Sequence, residues 1–317
     1  MTRIGQNPAK FVKNVAKPAR ITVAVLNYIP FLSGFYAEMD KVLKACLESI
    51  YNTSGDIDFD LLVFDNGSCD EIKQYLLQEQ AEGRIQYLMF SEKNLGKGGA
   101  WNMILDGAPG EIIAYTDNDC LFSPEWLSET LKILETFPNV GMVTARPFRT
   151  NPDFYTNTLK WADETEEVTH ESGNLVDYEV FREFDLSLGQ AEEDIRKHYD
   201  TSEDHRLTYK GVRAMVGASH WQFTAWKKTL REFLPFQMDR PMGQVKQLDM
   251  RMNEKGYLRL MPEKPLAMNM SNTLENVAAS EPKMTAKKNR GIADLPIVKK
   301  LLLGAYNRIF HLYYDER

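Results

Sequence analysis

Between residues 21 and 145, short apolar runs alternate with longer stretches of helical spacing, and this alternation constrains the fold more than any other feature. A run of four to eight apolar, often β-branched residues bounded by turn residues predicts a buried strand. Such runs occupy 21–26, 61–64, 85–90, 112–115 and 140–145. Helical spacing separates them at 37–51, 70–81, 98–105 and 124–137. The order predicts parallel βαβ units, and therefore an α/β fold with a mostly parallel sheet and helices on both of its faces.

The alternation ends near residue 150, which predicts a second half of different construction. Within 151–275, an acidic insert at 162–204 is expected to be partly helical and mobile. Apolar character returns at 212–223 and is followed by predicted helices at 224–233 and 243–255 and a strand at 257–261. A basic arm at 1–20 precedes the first half, 21–150, and a tail with an amphipathic helix occupies 276–317.

Composition excludes several classes of protein. The formal net charge of −7 argues against a general nucleic-acid binder, whose affinity depends on neutralising phosphates. The three cysteines, Cys46, Cys69 and Cys120, lack metal-ligand spacing and indicate a reducing compartment. No stretch approaches the roughly 20 apolar residues of a spanning helix. We therefore expect a cytoplasmic protein, with peripheral contact at the inner membrane face as an alternative.

Polar residues follow four of the predicted strands at the point where each ends. They are Asn27-Tyr28, Asp65-Asn66-Gly67-Ser68, the segment 94–99 and Asp117-Asn118-Asp119. In an open α/β sheet, ligands bind beyond the carboxyl ends of the strands. Mg²⁺ and similar hard cations take oxygen ligands, often one or two carboxylates together with substrate phosphates. Each motif alone is also ordinary turn chemistry, so the prediction of a ligand site depends on their convergence.

With these four motifs in this order, the sequence resembles the family 2 glycosyltransferases of the GT-A fold, a Rossmann-like architecture. The resemblance covers about 21–150 and, more weakly, 212–274. It implies a nucleotide-sugar-binding half at 21–150 and an acceptor-binding half at 151–275. It also implies an inverting transfer of a sugar from a nucleotide-sugar donor to a glycan or glycoconjugate, as in the biosynthesis of a surface polysaccharide.

The resemblance implies roles for individual donor-binding residues. Asp65 matches the aspartate that contacts the nucleotide base, where a carboxylate can accept a hydrogen bond from uracil; this favours a UDP-linked sugar. Asn94 and Asn102 match the two ends of an Asn-x-Gly-x-x-x-Ala-x-Asn element. Lys97, between them, could reach a phosphate. Asn27 and Tyr28, after the first strand, complete the predicted nucleotide site.

Asp117 and Asp119 match the family's Asp-x-Asp motif. The resemblance implies that Asp119 binds Mn²⁺ or Mg²⁺ directly and that Asp117, the second candidate metal ligand, lies nearer the ribose or sugar. A cation there would neutralise charge on the nucleoside-diphosphate leaving group. Asn269 stands where related sequences can carry a metal-binding histidine.

A general base must take the proton of the acceptor hydroxyl in an inverting transfer. The family's usual Glu-Asp pair is absent, and the resemblance points to Asp249, ahead of Arg251 and Gly256-Tyr257, with Asp239 in reserve. Pairing of Asp249 with a neighbouring cation is the structural alternative. His220 and Trp221 lie where the family lines its sugar and acceptor pocket; Trp221 could stack on a sugar or simply belong to the core.

Two other functions remain open from the sequence alone. A sugar-phosphate nucleotidyltransferase has a similar sheet, but it should carry a glycine-rich basic loop after the first strand, and residues 27–31 do not resemble one. A non-catalytic nucleotide-sugar-binding protein is kept open by the missing Glu-Asp pair. Segment 296–314 could contact a membrane surface or a second copy of the chain.

Overall fold

The computed structural model of the chain describes residues 5–239 and 245–275, which lie within one compact unit, Met1–Asn276. Its helices are α1 (Met39–Thr53), α2 (Asp70–Ala81), α3 (Gly96–Gly107), α4 (Trp126–Thr136), α5 (Thr156–Glu164), α6 (Tyr178–Ser187), α7 (Glu192–Thr201), α8 (Lys227–Arg231) and α9 (Val245–Glu254). Its strands are β1 (Ile21–Asn27), β2 (Phe59–Asp65), β3 (Tyr87–Phe90), β4 (Ile112–Asp117), β5 (Cys120–Phe122), β6 (Val140–Val143), β7 (Thr169–Gly173), β8 (Asp204–Tyr209), β9 (Val212–Val216), β10 (Gln222–Trp226), β11 (Leu258–Met261) and β12 (Ala267–Asn269).

The main sheet of the described residues has ten strands in the order β3-β2-β1-β4-β10-β6-β11-β9-β8-β7. β3, β2, β1 and β4 pair in parallel, as the alternation of strands and helices predicts. β10 then lies antiparallel between β4 and β6, and β11 is parallel to β6. β9, β8 and β7 form an antiparallel edge. The predicted α/β fold with a mostly parallel sheet is confirmed, and its antiparallel additions come from the second half.

Helices cover both faces of the sheet. Side chains of β10 alternate between the faces, as in any strand. Phe223 belongs to the apolar cluster formed with Trp101 of α3, whereas the Thr224 hydroxyl donates to Thr130 of α4 at 3.1 Å. α3 and α4 therefore lie on opposite faces, and the predicted arrangement of helices is confirmed.

One predicted helix is replaced in part by a strand. The segment near 224–233 was expected to be helical, but β10 continues to Trp226 before α8 begins at Lys227. The alternation of buried Phe223 and Ala225 with Thr224 gives this segment the period of a strand, and pairing with β4 satisfies its backbone.

Within the insert 162–204, the structure places β7, α6 and α7, so it is partly helical as expected. Arg149 anchors it from the preceding loop. Its guanidinium donates to Asp204 at 2.9 and 3.0 Å and to the Tyr199 and Ser202 carbonyls at 2.7 and 2.8 Å.

The predicted domain boundaries stay predictions. The predicted amphipathic helix at 296–314 and the rest of 276–317 lie outside the described residues. Among the helices of residues 5–239 and 245–275, none combines the length and the apolar character that a bilayer-spanning segment requires.

Candidate active site

The polar edge, defined here as the carboxyl ends of β1, β2 and β4 (Asn27, Asp65 and 117–119), is held by one network of side chains. Asn27 Nδ2 donates to Asp65 Oδ2 at 2.8 Å and to Ser68 Oγ at 3.0 Å. Asn118 Nδ2 donates to Asn27 Oδ1 at 2.7 Å. Because β1 pairs in parallel with both β2 and β4, the three strand ends lie side by side. The network fixes the direction in which each loop leaves the sheet.

Asp65 is fully buried, and both of its carboxylate oxygens have partners. Oδ2 accepts from Asn27, and Oδ1 accepts from the backbone N–H groups of Gly67 and Ser68 at 3.3 and 3.0 Å. These bonds shape the turn that follows β2. The contact between Asp65 and a nucleotide base therefore stays a prediction, and it requires a change in the Asp65 bonds or in the cover over the carboxylate.

Two loops meet beside this turn. Asn66 Nδ2 donates to Asn94 Oδ1 at 3.0 Å, while Asn66 Oδ1 accepts from Leu95 N at 2.9 Å. Gly67 has φ +93°, and a Cβ on it would lie 3.2 Å from the Asn94 nitrogen. Asn94 thus holds the start of α3 against the β2 turn. Tyr28 is half-buried, with its ring edge-on to Tyr36 at 6.1 Å between centroids.

Asp117 is oriented by two donors. Lys97 Nζ donates to Oδ2 at 2.6 Å, and the Tyr115 hydroxyl donates to Oδ1 at 2.5 Å. Burial and the charge of Asp117 raise the pKa of Tyr115, so its phenol remains a donor at neutral pH. Lys97 also lies 5.7 Å from the Trp101 ring centroid. Lys97 therefore contacts the Asp-x-Asp segment, and its predicted contact with a phosphate stays a prediction.

Asp119 differs from Asp117 because, among the described residues, no cation forms an ion pair with it. The Cys120 thiol makes a long contact with its carboxylate at 4.0 Å. Withdrawal from water, with the nearby charge of Asp117, raises the pKa of Asp119 to about 7. Lys97 acts in the opposite sense, but it is paired with Asp117.

The part of the chain that the structure describes contains no group of three or more acidic, histidine or cysteine side chains that could hold a metal ion. Asp117 and Asp119 alone still suit a cation that completes its shell with phosphates. β12 pairs with β5 beside them and sets Asn269 opposite Cys120, while Met270 N donates to the Asp119 carbonyl at 2.8 Å. The Asn269 amide oxygen accepts from Ser271 N at 2.7 Å.

Asn102, predicted to bind the donor, fastens α3 to the loop that contains Phe236. Its Nδ2 donates to the Phe236 carbonyl at 2.8 Å, and its Oδ1 accepts from the Phe236 N–H at 2.6 Å. Both ends of the amide thus fasten α3 to a loop 134 residues away. These contacts favour a tether over the predicted contact with the donor, which stays untested.

On the other side of Asp117 lies the histidine turn, Ser219–Gln222, between β9 and β10. Ser219 bridges Gln222, and the Asp117 N–H donates to the Trp221 carbonyl at 3.1 Å. Thr144 Oγ1 accepts from Ser219 N at 2.9 Å and donates to the Gln222 carbonyl at 2.9 Å. The turn is therefore held against both the polar edge and the end of β6.

Trp221 is buried among aromatic rings, with centroids 5.5 Å from Phe184 and 6.2 Å from Phe148. Of the two predicted roles, these contacts favour the core. Its indole N–H is buried and finds no hydrogen-bond partner within residues 5–239 and 245–275. His220, next to it, is about one-quarter exposed, and its Nδ1 lies 2.6 Å from Asp249 Oδ2.

Asp249 lies on α9 with only 1% of its side chain exposed. Its Oδ1 accepts from the guanidinium of Arg259, a fully buried residue of β11 that also donates to the Ala218 carbonyl. Since His220 and Arg259 occupy both carboxylate oxygens, an acceptor hydroxyl could reach Asp249 only if one of them moved. The predicted direct role of Asp249 as a base stays a prediction. The reserve candidate, Asp239, is exposed.

Sequence reasoning missed two parts of this arrangement. Arg259 was not a candidate, although an arginine within the apolar run 257–261 is itself a signal that a buried acid must lie nearby. Thr144 was not noted either, and no local pattern marks it.

Comparison with known proteins gives a consistent result. Residues 34–184 match the family described as Glycosyl transferase family 2. An uncharacterized glycosyltransferase of Nostoc sp. is 26% identical over 126 residues, 39% of this chain and 35% of that protein. One from Methanocaldococcus jannaschii is 29% identical over 109 residues, 34% of this chain and 37% of that protein. The chain thus matches these curated relatives over about a third of their length.

Solved structures to which the chain is similar include the mannosyltransferase PcManGT from Pyrobaculum calidifontis in complex with GDP-Man and Mn²⁺. It has 19% identity and a TM-score of 0.47, over 78% of this chain and 55% of that one. S. aureus TarS 1-349 in complex with UDP has 14% identity and a TM-score of 0.47, over 82% and 62% of the two chains. GDP-Man and Mn²⁺ are ligands of PcManGT, and UDP is a ligand of TarS.

Proposed function

Since the chain belongs to glycosyltransferase family 2, we propose that it transfers a sugar from a nucleoside-diphosphate donor, with uridine as the favoured base, to a hydroxyl of a glycan or glycoconjugate. The observation that carries this proposal is the polar edge. It brings Asp117 and Asp119 beside the ends of β1 and β2, where an α/β sheet binds its ligands.

The residues at the polar edge suit a divalent cation. Asp119 would be its direct ligand, because no cation in the described part of the chain forms an ion pair with its carboxylate, whereas Lys97 pairs with Asp117. When bound, Mn²⁺ or Mg²⁺ would supply positive charge to the diphosphate as the bond to the sugar breaks. Asp117, fixed by Lys97 and Tyr115, would orient the ribose or sugar.

Lys97 has two available positions in this proposal. Without donor it pairs with Asp117 at 2.6 Å. A long, flexible side chain with three donors can redirect its ammonium toward a diphosphate and still lie close to the carboxylate. Lys97 would thus keep the two aspartates from repelling each other before donor arrives.

An inverting transfer follows from a single displacement. The acceptor oxygen attacks the anomeric carbon from the face opposite the diphosphate, and the bonding pair leaves with the diphosphate. A base must take the acceptor proton. The family match argues against the nucleotidyltransferase alternative, and catalysis separates the proposal from a non-catalytic binding protein.

The test is a thermal-shift titration with UDP and GDP, each with Mn²⁺, with Mg²⁺ and with EDTA. Binding to the native state raises apparent stability by mass action. We expect a shift with UDP that requires metal and that is lost in Asp119→Ala. The control is Asp58→Ala, because Asp58 is exposed and precedes β2 at the strand end far from the polar edge.

Two results would count against the proposal. One is the absence of any shift with either nucleotide and either metal. The other is an equal shift with and without metal in both the wild type and Asp119→Ala, which would remove the metal from the proposal. Release of UDP from a UDP-sugar then distinguishes an enzyme from a binding protein.

A further inference from the structure

The contact between His220 and Asp249 joins two elements that are far apart in sequence. His220 lies in the histidine turn, and Asp249 lies in the middle of α9, 29 residues later. Their Nδ1–Oδ2 distance of 2.6 Å is that of a strong hydrogen bond. The carboxylate is buried, whereas the imidazole is partly exposed. The pair therefore extends from the interior of the protein to its surface.

Asp249 does not need His220 to balance its charge. The guanidinium of Arg259 is wholly buried beside it and already donates to the other carboxylate oxygen. A buried ion is stabilised by one such partner of opposite charge together with hydrogen bonds. The contact with His220 is thus an addition to a pair that is already neutral, and it supplies the hydrogen bond to the second carboxylate oxygen.

The contact also fixes the imidazole. A carboxylate accepts a hydrogen bond from Nδ1–H, so the neutral ring carries its proton on Nδ1 and leaves Nε2 able to accept one. An aspartate that holds a histidine in this tautomer also stabilises the imidazolium formed after proton transfer. The same two effects would operate on His220.

The backbone around His220 is held beside the Asp-x-Asp segment. The Trp221 carbonyl, one residue away, accepts from the Asp117 N–H at 3.1 Å, and Gln222 pairs with Thr116. Thr144 holds the turn on its other side. His220 is thus fixed by the backbone at the end of β4, where the Asp-x-Asp segment begins.

From these contacts we infer that His220 is the general base of the transfer and that Asp249 is a positioning residue that acts through it. Nε2 takes the proton from the acceptor hydroxyl as its oxygen bonds to the anomeric carbon. The bond from that carbon to the diphosphate breaks, its electron pair leaves with the nucleotide, and the imidazolium later releases its proton to water. This inference rests on the proposed function and replaces Asp249 as the residue that contacts the acceptor.

The experiment measures donor affinity and turnover separately. The probe is the UDP-sugar and p-nitrophenyl glycoside pair from which the wild type releases UDP fastest. His220→Gln keeps an amide that can bond to Asp249 but removes the base. We expect its turnover to fall by roughly 10²–10⁴, with affinity for UDP and Mn²⁺ within about twofold of wild type. Asp58→Asn, a change of an exposed side chain ahead of β2 at the strand end far from the polar edge, should leave both unchanged.

A second variant excludes a merely structural effect. His220→Ala opens a space beside Asp249, and added imidazole should restore part of the lost turnover in a concentration-dependent manner. Asp249→Asn should lower turnover, because His220 loses the carboxylate that orients it. Added imidazole should not restore this loss, because the His220 ring still fills its place. Thermal unfolding of each variant shows whether the fold is retained.

The outcomes separate the two proposals. If the wild type binds donor and turns over but His220→Gln retains at least a third of wild-type turnover, the inference is overturned. It is also overturned if His220→Gln loses turnover only in proportion to UDP affinity. If the wild type shows neither nucleotide binding nor turnover, the proposed function fails, and the inference fails with it.

Discussion

The polar edge and the histidine turn hold their carboxylates in opposite ways. At the polar edge, Asp117 and Asp119 lie close together with Lys97 as their nearby cation, and the pKa of Asp119 is raised to about 7. Behind the histidine turn, Asp249 is more deeply buried but has Arg259 as a dedicated partner. The difference shows that burial alone does not determine the charge balance of a carboxylate: an excess of negative charge raises the pKa of Asp119, whereas Arg259 balances the charge of Asp249. In our proposals, the first site would take a cation and the second would support a histidine.

The largest expected effect breaks the balanced pair. Arg259→Met removes the guanidinium that is paired with the buried Asp249 carboxylate, and we expect a loss of about 3–5 kcal/mol in the free energy of unfolding. Urea unfolding measures it. Arg231→Met is the matched control, because its ion pair with Asp106 is well exposed and should be worth at most about 1 kcal/mol.

Adding Asp249→Leu to Arg259→Met should recover much of that loss, because an apolar pair needs no solvation. An equal loss in Arg259→Met and Arg231→Met would show that Asp249 is not a buried charge held by Arg259. The comparison between the two carboxylate sites would then no longer hold.

A smaller effect is expected at Asp65, the fully buried carboxylate of the polar edge. Asp65→Ala removes the carboxylate that is predicted to accept a hydrogen bond from the base, and we expect UDP to bind more weakly by about 1–3 kcal/mol. It also leaves Asn27 and the Gly67 and Ser68 N–H groups without that acceptor, which lowers the stability of the fold. Calorimetric titration of UDP with Mn²⁺ is the measurement. If affinity is unchanged while unfolding shows lower stability, Asp65 is a turn residue only.

The third expectation concerns pH. Ionised Asp119 lowers the free energy of unfolding, whereas Arg259 raises it. A carboxyl whose pKa rises from 3.8 to about 7 on folding destabilises the native state when ionised. The cost is absent below the unfolded pKa, grows as the pH rises toward 7, and is complete above it. In EDTA, Asp119→Asn should therefore raise the unfolding temperature more at pH 8 than at pH 4.5.

If Asp119→Asn raises the unfolding temperature equally at both pH values, the charge of Asp119 is not the cause. Excess Mn²⁺ offers a sharper version. It should stabilise the wild type at pH 8 and have little effect on Asp119→Asn.

The smallest effect is expected at the acidic insert 162–204, which we still predict to be a lid or a recognition segment for the acceptor. Limited proteolysis should cut within 162–204 first, and UDP with Mn²⁺ should slow that cleavage severalfold. Arg149→Met, which removes the anchor of β8 and α7, should speed it. First cleavage elsewhere, unaffected by ligand, would contradict the lid.

The polar edge could be predicted because its information is local. Each of β1, β2 and β4 is a buried run followed directly by its functional residues, and parallel strands bring such ends to one edge. The histidine turn depends on contacts that no local pattern encodes. β10 inserts antiparallel beside β4, and His220, Asp249 and Arg259 meet only because β9, α9 and β11 pack together. Asn102 shows the same limit, since its partner is 134 residues away.

Asn118 and Asp65 show a second limit. Their residue types suggest ligand contacts, yet their side chains are buried and bonded to protein partners that hold the loops. A motif specifies which residues gather at a site. It does not specify which of them face the ligand and which support the residues that do.

The register between β10 and β4 has a consequence for how this part of the chain can vary in length. Gln222 opposite Thr116 places Trp221 beside Asp117 and within the aromatic core, and it leaves His220 on the more exposed side. Loss of one residue between 217 and 220 would move the Trp221 indole toward solvent and the His220 imidazole away from Asp249. Insertions and deletions should therefore be tolerated in the connection between α6 and α7 but not in this turn, where chain length sets which side chain faces outward.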